Sequence, residues 1–158
     1  MSIEESVIET YFSAIETNDS DKVRELLSNN RKLTTVKRRG NYHYDASIEL
    51  DAYKFLGAYL GALSGLHLAL LLGHESIARD ITDVTFDQDL NLTFGDNNTT
   101  LHLAVFLECK EVVQSLLERG VDSSIKNGKN LSAVDVSNDP IILDILQNTQ
   151  PLAPTNNN

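Results

Sequence analysis

Four histidines and a single cysteine are the side chains best suited to chemistry in this sequence. His67 and His102 could serve as general bases or zinc ligands, and Cys109 could serve as a nucleophile. A zinc site, however, needs several Cys or His ligands at short spacings, and neither histidine stands in such a set. The sequence also lacks a Gly-x-Ser-x-Gly elbow and a glycine-rich phosphate loop. We therefore expect no catalytic residue, no metal site and no cofactor.

The composition of the 158 residues is typical of one packed domain, with 41% hydrophobic and 23% charged residues. Acidic residues outnumber basic ones by 23 to 13, and the net charge of -10 disfavours binding to a nucleic-acid backbone. The N-terminus lacks the pattern of a secretory signal, and glycines and His67 interrupt the apolar run from Phe55 to Leu72. With one cysteine, no internal disulfide can form. We expect a protein of the cytoplasm, the nucleus or both, with no direct nucleic-acid binding and no membrane span.

A repeated motif indicates which elements position the two histidines. Ser64-Gly65-Leu66-His67-Leu68-Ala69 recurs as Thr99-Thr100-Leu101-His102-Leu103-Ala104, and a weaker copy at residues 132–137 has Asp135 at the histidine position. A hydroxyl residue at the start of each motif suits a helix N-cap, and an apolar helical pattern follows it. In the two strong copies a second helical pattern comes next. The repeating unit is therefore predicted to be turn, helix, turn, helix.

This unit resembles the ankyrin repeat, which recurs about every 33 residues and opens with Thr-Pro-Leu-His-x-Ala. The resemblance implies an all-α solenoid of about four helix-turn-helix repeats with finger loops, over residues 1–147. The first repeat, Tyr11 to Leu27, is degenerate, and the last is truncated, with a closing helix that starts near Pro140. The positions assigned to the repeat framework are Ser64, Leu66, His67, Ala69, Gly73, His74, Thr99, Leu101, His102, Ala104, Leu116, Leu117 and Gly120.

The resemblance also implies structural roles for the residues that first suggested chemistry. In this family the motif histidine usually bonds to the backbone between neighbouring repeats. Cys109 takes the place that His74 has in the preceding copy, which indicates a partly buried small residue.

The chain departs most from the repeat pattern between the first repeat and Ser64. The distance from Leu27 to Ser64 is much longer than that from Leu117 to Ser132, so we predict an insertion at about residues 31–62. Its basic residues and tyrosines are of the types that anchor protein interfaces. The partner-binding candidates there are Arg38, Arg39, Tyr42 and Tyr44.

Two other interpretations of this segment remain open. Residues from Asp51 to about Ala62 have apolar side chains at helical spacing, so an amphipathic helix could cover the first repeat with its aromatic side chains in the core. The basic run could instead remain in a solvated loop or act as a short nuclear import signal.

The junction between the two clear repeats has the opposite charge. Asp83, Asp87, Asp89 and Asp96 are interleaved with apolar residues in partial alternation, which predicts a β-finger with one apolar face. These aspartates either form an acidic docking strip for a basic peptide or serve as turn residues.

The final residues, 148–158, are rich in Pro and Asn and are typical of a polar tail or the start of a linker. We therefore expect a non-enzymatic, monomeric protein-protein interaction module, the N-terminal docking domain of a larger scaffold or regulatory protein. The alternative is a regulatory or inhibitory subunit whose inserted loop masks an active or targeting surface of its partner. A distant third possibility, an enzyme that uses His67 and His102, requires an open polar cleft around them.

Overall fold

Two rows of helices stacked side by side form the fold in the computed structural model, which describes residues 2–152. The α-helices are α1 (Glu5–Glu16), α2 (Ser20–Asn29), α3 (Glu49–Phe55), α4 (Gly65–Leu71), α5 (Glu75–Val84), α6 (Thr100–Phe106), α7 (Lys110–Glu118) and α8 (Pro140–Asn148). Three 3-10 helices cover Arg31–Thr35, Asp87–Asp89 and Ala133–Val136. An inner row consists of α1, α4, α6 and the last 3-10 helix, and an outer row consists of α2, α5, α7 and α8. The predicted all-α architecture is confirmed.

Short antiparallel strand pairs precede the inner helices. β1 (Lys37–Arg38) pairs with β2 (Leu63–Ser64), and β3 (Thr93–Phe94) pairs with β4 (Asn98–Thr99). These two fingers differ in their connections, which run over residues 39–62 in the first and residues 95–97 in the second. That the longer connection is an insertion relative to other repeats stays a prediction.

The turn between the inner and outer helix has the same geometry in three successive repeats. Its central residue adopts a left-handed conformation, with φ of 59° at Asn18, 78° at Gly73 and 61° at Glu108. The next N–H then donates to the carbonyl of an alanine in the inner helix at 2.8–2.9 Å, and these alanines are Ala14, Ala69 and Ala104. The degenerate first repeat therefore shares this turn with the two regular ones.

The predicted truncation of the last repeat and the start of its closing helix at Pro140 are confirmed. The residues after Ser132 form one 3-10 turn rather than an α-helix, because Asp139 and Pro140 already begin the closing helix. Asp139 caps that helix by accepting the Ile142 N–H at 3.0 Å. Of the predicted tail, residues 153–158 lie outside the described part of the chain, whereas the Leu152 N–H donates to the Glu118 carbonyl at 2.8 Å.

The predicted helix from Asp51 to Ala62 is wrong in its extent, because α3 ends at Phe55. Gly57 follows with φ of 95°, a conformation that ends helices. Side chains from elsewhere take the three carbonyls at this end. Asn127 donates to Phe55 O at 2.9 Å, Asn98 donates to Leu56 O at 2.9 Å, and Tyr44 donates to Gly57 O at 3.2 Å. These bonds satisfy carbonyls that a longer helix would have used itself.

Within residues 2–152, no helix is long and apolar enough to cross a membrane. The apolar run from Phe55 to Leu72 is divided among the end of α3, a loop, β2 and α4.

Two buried tyrosines provide a matched test of core hydrogen bonding. Tyr11 is fully buried, and its hydroxyl has no hydrogen-bond partner among the described residues. It packs so closely on the inner row that a Cβ atom at Gly65 would lie 2.3 Å from its Oη. Tyr44 is equally buried, but its hydroxyl donates to Gly57 O.

We expect Tyr11→Phe to raise the free energy of unfolding by about 1 kcal/mol, because it removes a buried polar atom that makes no bond. Tyr44→Phe should lower it by about 1 kcal/mol, because a bonded carbonyl loses its donor. Urea denaturation measures both changes. Equal losses in the two variants would contradict the unpaired state of Tyr11.

Candidate partner-binding surface

His67 links the start of its own helix to the next finger. The Ser64 N–H donates to His67 Nδ1 at 3.3 Å, and the His67 N–H donates to Ser64 Oγ at 3.2 Å, so the two residues form a capping box. Since Nδ1 accepts a hydrogen bond, the ring proton lies on Nε2. Nε2 lies 3.2 Å from the carbonyl oxygen of Leu92 and 3.0 Å from the hydroxyl oxygen of Thr100, and it donates to this pair of acceptors in the next repeat. The neutral ring thus joins two successive repeats.

His102 repeats this arrangement one unit later. Its Nδ1 accepts the Thr99 N–H at 3.1 Å, and its Nε2 donates to Leu131 O at 2.8 Å. In the last repeat, Asp135 accepts the Ser132 N–H at 2.9 Å, but a carboxylate has no proton to donate onward. The series of links between repeats therefore stops at this position.

The geometry gives neither histidine the open polar cleft that an enzyme would require. His67 is 0% exposed and His102 is 1% exposed. Burial lowers the pKa of His67 to about 3 and also lowers the pKa of His102. Burial raises the pKa of Cys109 to about 11, which keeps the thiol protonated at neutral pH. Among residues 2–152, no group of three or more His, Cys, Asp or Glu side chains is arranged to hold a metal ion.

The remaining framework positions lie where helices start, end or pack. Leu66, Ala69, Leu101, Ala104, Leu116 and Leu117 are buried. His74 is the N-cap of α5, and Gly120 follows α7 with φ of 83°.

The basic run after the first repeat makes mostly intramolecular contacts. Arg38 donates to the Tyr42 hydroxyl at 3.0 Å and lies 3.4 Å from the Glu16 carboxylate, with its guanidinium 4.6 Å from the Phe12 ring centroid. Lys37 donates to the Thr93 carbonyl of the second finger. Arg38 therefore holds the first finger against α1, and Lys37 joins the first finger to the second.

Tyr44, a candidate partner-binding residue, is not accessible. It is 1% exposed and holds the end of α3, so a partner cannot reach it in this conformation. Tyr42 is half-buried and His43 between them is exposed, so Tyr44 and Tyr42 lie together on the inward side of the segment.

A tyrosine-lined recess of about 370 Å³ brings the other candidates together with residues that the sequence reasoning missed. Arg39 and Tyr42 line it with Tyr53 and Tyr59, and Tyr44 forms part of its wall. Arg39 donates to the Tyr59 hydroxyl at 3.0 Å. Tyr53 is 39% exposed and Tyr59 is 57% exposed, although helical spacing had suggested core positions. We call this site the tyrosine recess.

The four candidate aspartates do not form one strip. Asp83 lies on the outer helix α5, Asp87 pairs with Arg119 at 2.8 Å, and Asp89 is half-buried at the end of its 3-10 helix. Asp96 lies at the tip of the second finger against the Gly128 backbone. The predicted β-finger is wrong in its extent: within residues 83–96 only β3 is a strand, which pairs with β4, whereas the end of α5 and a 3-10 helix occupy the earlier part.

Known proteins share the repeat geometry just described. The family model for the ankyrin repeat matches residues 96–128, which contain the second finger tip, α6 and α7. The crystal structure of the ankyrin repeat domain of Bcl-3 matches 87% of this chain and 50% of that chain, with a TM-score of 0.60 and 20% identity. The chain contains an ankyrin repeat and has the ankyrin-repeat fold.

Other relatives match the same repeats over part of their length. The nuclear factor NF-kappa-B p105 subunit of Rattus norvegicus is 32% identical over 107 residues, which are 60% of this chain and 11% of the relative. Alpha-latrotoxin-Lg1a of Latrodectus geometricus is 32% identical over 62 residues, or 39% of this chain and 4% of the toxin. The chain therefore spans a small fraction of the length of these curated relatives.

One solved structure is similar over nearly its whole length. A chain from the crystal structure of the yeast ribosomal protein Rps3 in complex with its chaperone Yar1 has a TM-score of 0.63 and 16% identity. The match covers 92% of both chains. At this identity it shows a shared fold, and ankyrin solenoids provide extended surfaces for binding other proteins.

Acidification should destabilise this ankyrin fold, because His67 is neutral when folded. In the unfolded chain a histidine has a pKa of about 6.5, well above the pKa of about 3 that His67 has in the folded protein. The contribution of the neutral His67 ring to stability is complete above the pKa of the unfolded state. It is lost as the pH falls towards the pKa of the folded state. Between about pH 7.5 and about pH 5.5, we expect this residue to reduce the free energy of unfolding by about 1 kcal/mol in urea titrations.

Two variants separate this effect from general acid destabilisation. His67→Gln should lose the part of the pH dependence that His67 contributes and keep the part from buried His102, whereas His43→Gln, at an exposed position, should keep both parts. If His67→Gln retains the full pH dependence, the buried neutral ring is not its origin.

Proposed function

We propose that this chain is a non-enzymatic protein-binding module and that the tyrosine recess is a contact site for its partner. The observation that carries the proposal is the grouping of Arg39, Tyr42, Tyr53 and Tyr59 around one exposed recess. Arginine and tyrosine are enriched among the residues that contribute most to protein-protein affinity. An exposed group of aromatic side chains on a rigid solenoid is typical of a site of protein-protein contact.

The recess is organised before a partner arrives. The hydrogen bond from Arg39 holds the Tyr59 ring, and the bond from Arg38 holds the Tyr42 hydroxyl. Because these side chains are already restrained, little conformational entropy is lost when they are covered. Arg39 remains exposed, so its free donors suit a carboxylate of the partner. We infer a partner segment with an acidic residue next to an apolar side chain that enters between the tyrosines.

The wider role of the protein belongs to the same proposal. The curated relatives are much longer than the matched segment, which supports a docking domain within a larger scaffold or regulatory protein. The alternative, a subunit that masks a surface of its partner, is favoured by the similarity over 92% of both chains to a chain from a ribosomal protein-chaperone complex. Either role fits a protein of the cytoplasm or nucleus.

The test compares two double variants in partner capture from native extract. Arg39→Ala with Tyr59→Ala removes the charge and the most exposed ring of the recess. The matched control, Lys110→Ala with Ile141→Ala, removes an exposed base and an exposed apolar residue from the outer row. Circular dichroism and thermal unfolding establish that both are folded.

We expect the control to retain the partner and the recess variant to lose it. Once the partner is identified, its affinity for the recess variant should fall by roughly 30-fold, which corresponds to about 2 kcal/mol for a central contact. Undiminished binding by the recess variant would refute this site. Addition of the wild-type domain to the partner's own activity assay then distinguishes docking, which leaves the activity intact, from masking, which reduces it.

A further inference from the structure

A second groove lies on the opposite side of α3 from the tyrosine recess. It consists of two adjoining recesses of about 550 Å³ and about 220 Å³, which share Ile48 and Leu107. The larger recess is lined by α3, the end of α6 and the residues around Val136, and the smaller one continues to the end of α4. We call this surface the acidic groove. It shares no lining residue with the tyrosine recess.

The floor of the acidic groove is apolar. Phe55 and Phe106 pack there with their ring centroids 6.3 Å apart, and Leu71 and Leu107 extend the apolar surface. Leu72, at the end of α4, is 40% exposed at its edge. An apolar side chain of a partner would therefore find a preformed contact surface here.

The rim carries an excess of negative charge. Five carboxylates line the two recesses, against a single base, Lys54. The acidic residues are Asp45, Asp51, Glu75, Glu108 and Asp135. Asp45 and Asp135 accept hydrogen bonds from Ser47 and Ser132, which are neutral donors and leave the negative charge in place. The Lys54 ammonium lies 5.2 Å from the Phe55 ring centroid.

The backbone at Glu108 is an independent observation at the same rim. Glu108 occupies the left-handed turn position that Asn18 and Gly73 occupy in the other repeats, with φ of 61°. Glutamate is a poor residue for this conformation, which favours Gly and Asn. The chain therefore retains a strained acidic residue where a glycine would be more stable. Strain of this kind is characteristic of functional positions.

We propose that the acidic groove binds a basic segment of a partner protein, in which lysines or arginines flank one apolar side chain. The apolar side chain rests on Phe55 and Phe106, and the flanking cations face the carboxylates of Asp51, Glu108 and Asp135. This occupant is chosen by charge complementarity, because the lining groups carry five negative charges and one positive charge. The tyrosine recess and the acidic groove would then recognise segments of opposite charge on the two sides of α3.

Fluorescence anisotropy with a labelled peptide, Lys-Arg-Lys-Leu-Lys-Arg, tests this proposal on the full chain. Two comparison peptides replace the leucine by glycine or all the basic residues by glutamate. We expect the first peptide to bind in a salt-dependent manner, the glycine peptide to bind several-fold more weakly, and the glutamate peptide not to bind.

Variants with the same change in net charge distinguish the groove from general attraction to an acidic protein. Asp51→Asn with Glu108→Gln removes two groove carboxylates, whereas Glu9→Gln with Glu25→Gln removes two exposed carboxylates from the first repeat. The groove variant should bind roughly tenfold more weakly, and the control should bind within about twofold of wild type. Equal loss in both variants, or no loss in the groove variant, would overturn the proposal.

Glu108→Gly provides a test in which weaker peptide binding cannot be explained by a loss of stability. Glycine relieves the backbone strain, so the variant should unfold at a higher urea concentration than wild type while it binds the peptide more weakly. Higher stability with unchanged peptide binding would exclude a role for Glu108 in recognition. None of these results depends on the partner of the tyrosine recess, so the two proposals can fail separately.

Discussion

The hydrogen bond from a buried histidine to the next finger is the interaction on which the stacking of repeats depends. In His67 and His102, one ring nitrogen closes the cap of its own helix. The other bonds to the loop that precedes the next inner helix, at Leu92 for His67 and at Leu131 for His102. One neutral side chain therefore fixes both where the inner helix starts and how the next repeat is placed against it. Where Asp135 replaces the histidine, the cap persists but the forward link is lost, and the inner helix shrinks to one turn.

On this framework, α3 is positioned by side chains rather than by strand pairing or a long helix interface. Asn98 and Asn127 also bond to each other at 2.8 Å, so a residue of the second finger and a residue of the loop before the last 3-10 helix hold the end of α3 together. A tyrosine-lined recess with an exposed arginine lies on one side of α3, and a groove bordered by carboxylates lies on the other. The short helix thus divides the surface into two regions of opposite character.

The repeated elements could be predicted from sequence because their determinants are local. A hydroxyl residue, a histidine three positions later, an alanine and a left-handed turn residue lie within one helix and its ends. The end of α3 could not be predicted, because Asn98 and Asn127, which bind its last carbonyls, are far away in the sequence. The burial of Tyr44 could not be predicted either, because it depends on where α3 ends and leaves the Gly57 carbonyl to be bonded. The positive charge of Arg38 could not show that the side chain is used within the protein rather than for a partner. Its contacts with Phe12, Glu16 and Tyr42 depend on the folded arrangement.

The bond from Asn127 to Phe55 joins residues 72 positions apart. It links the segment between β1 and β2 to the last repeat. In an ordinary solenoid each repeat contacts only its neighbours, which allows the end repeats to unfold separately. Here the bond between Asn127 and Phe55 links parts of the chain that are not in neighbouring repeats. Unfolding an end repeat alone would break this bond and so cost additional free energy. The array should behave as a single cooperative unit at equilibrium. Because a contact of such long range is slow to form, it should also fold more slowly than a solenoid of the same size that has only neighbour contacts.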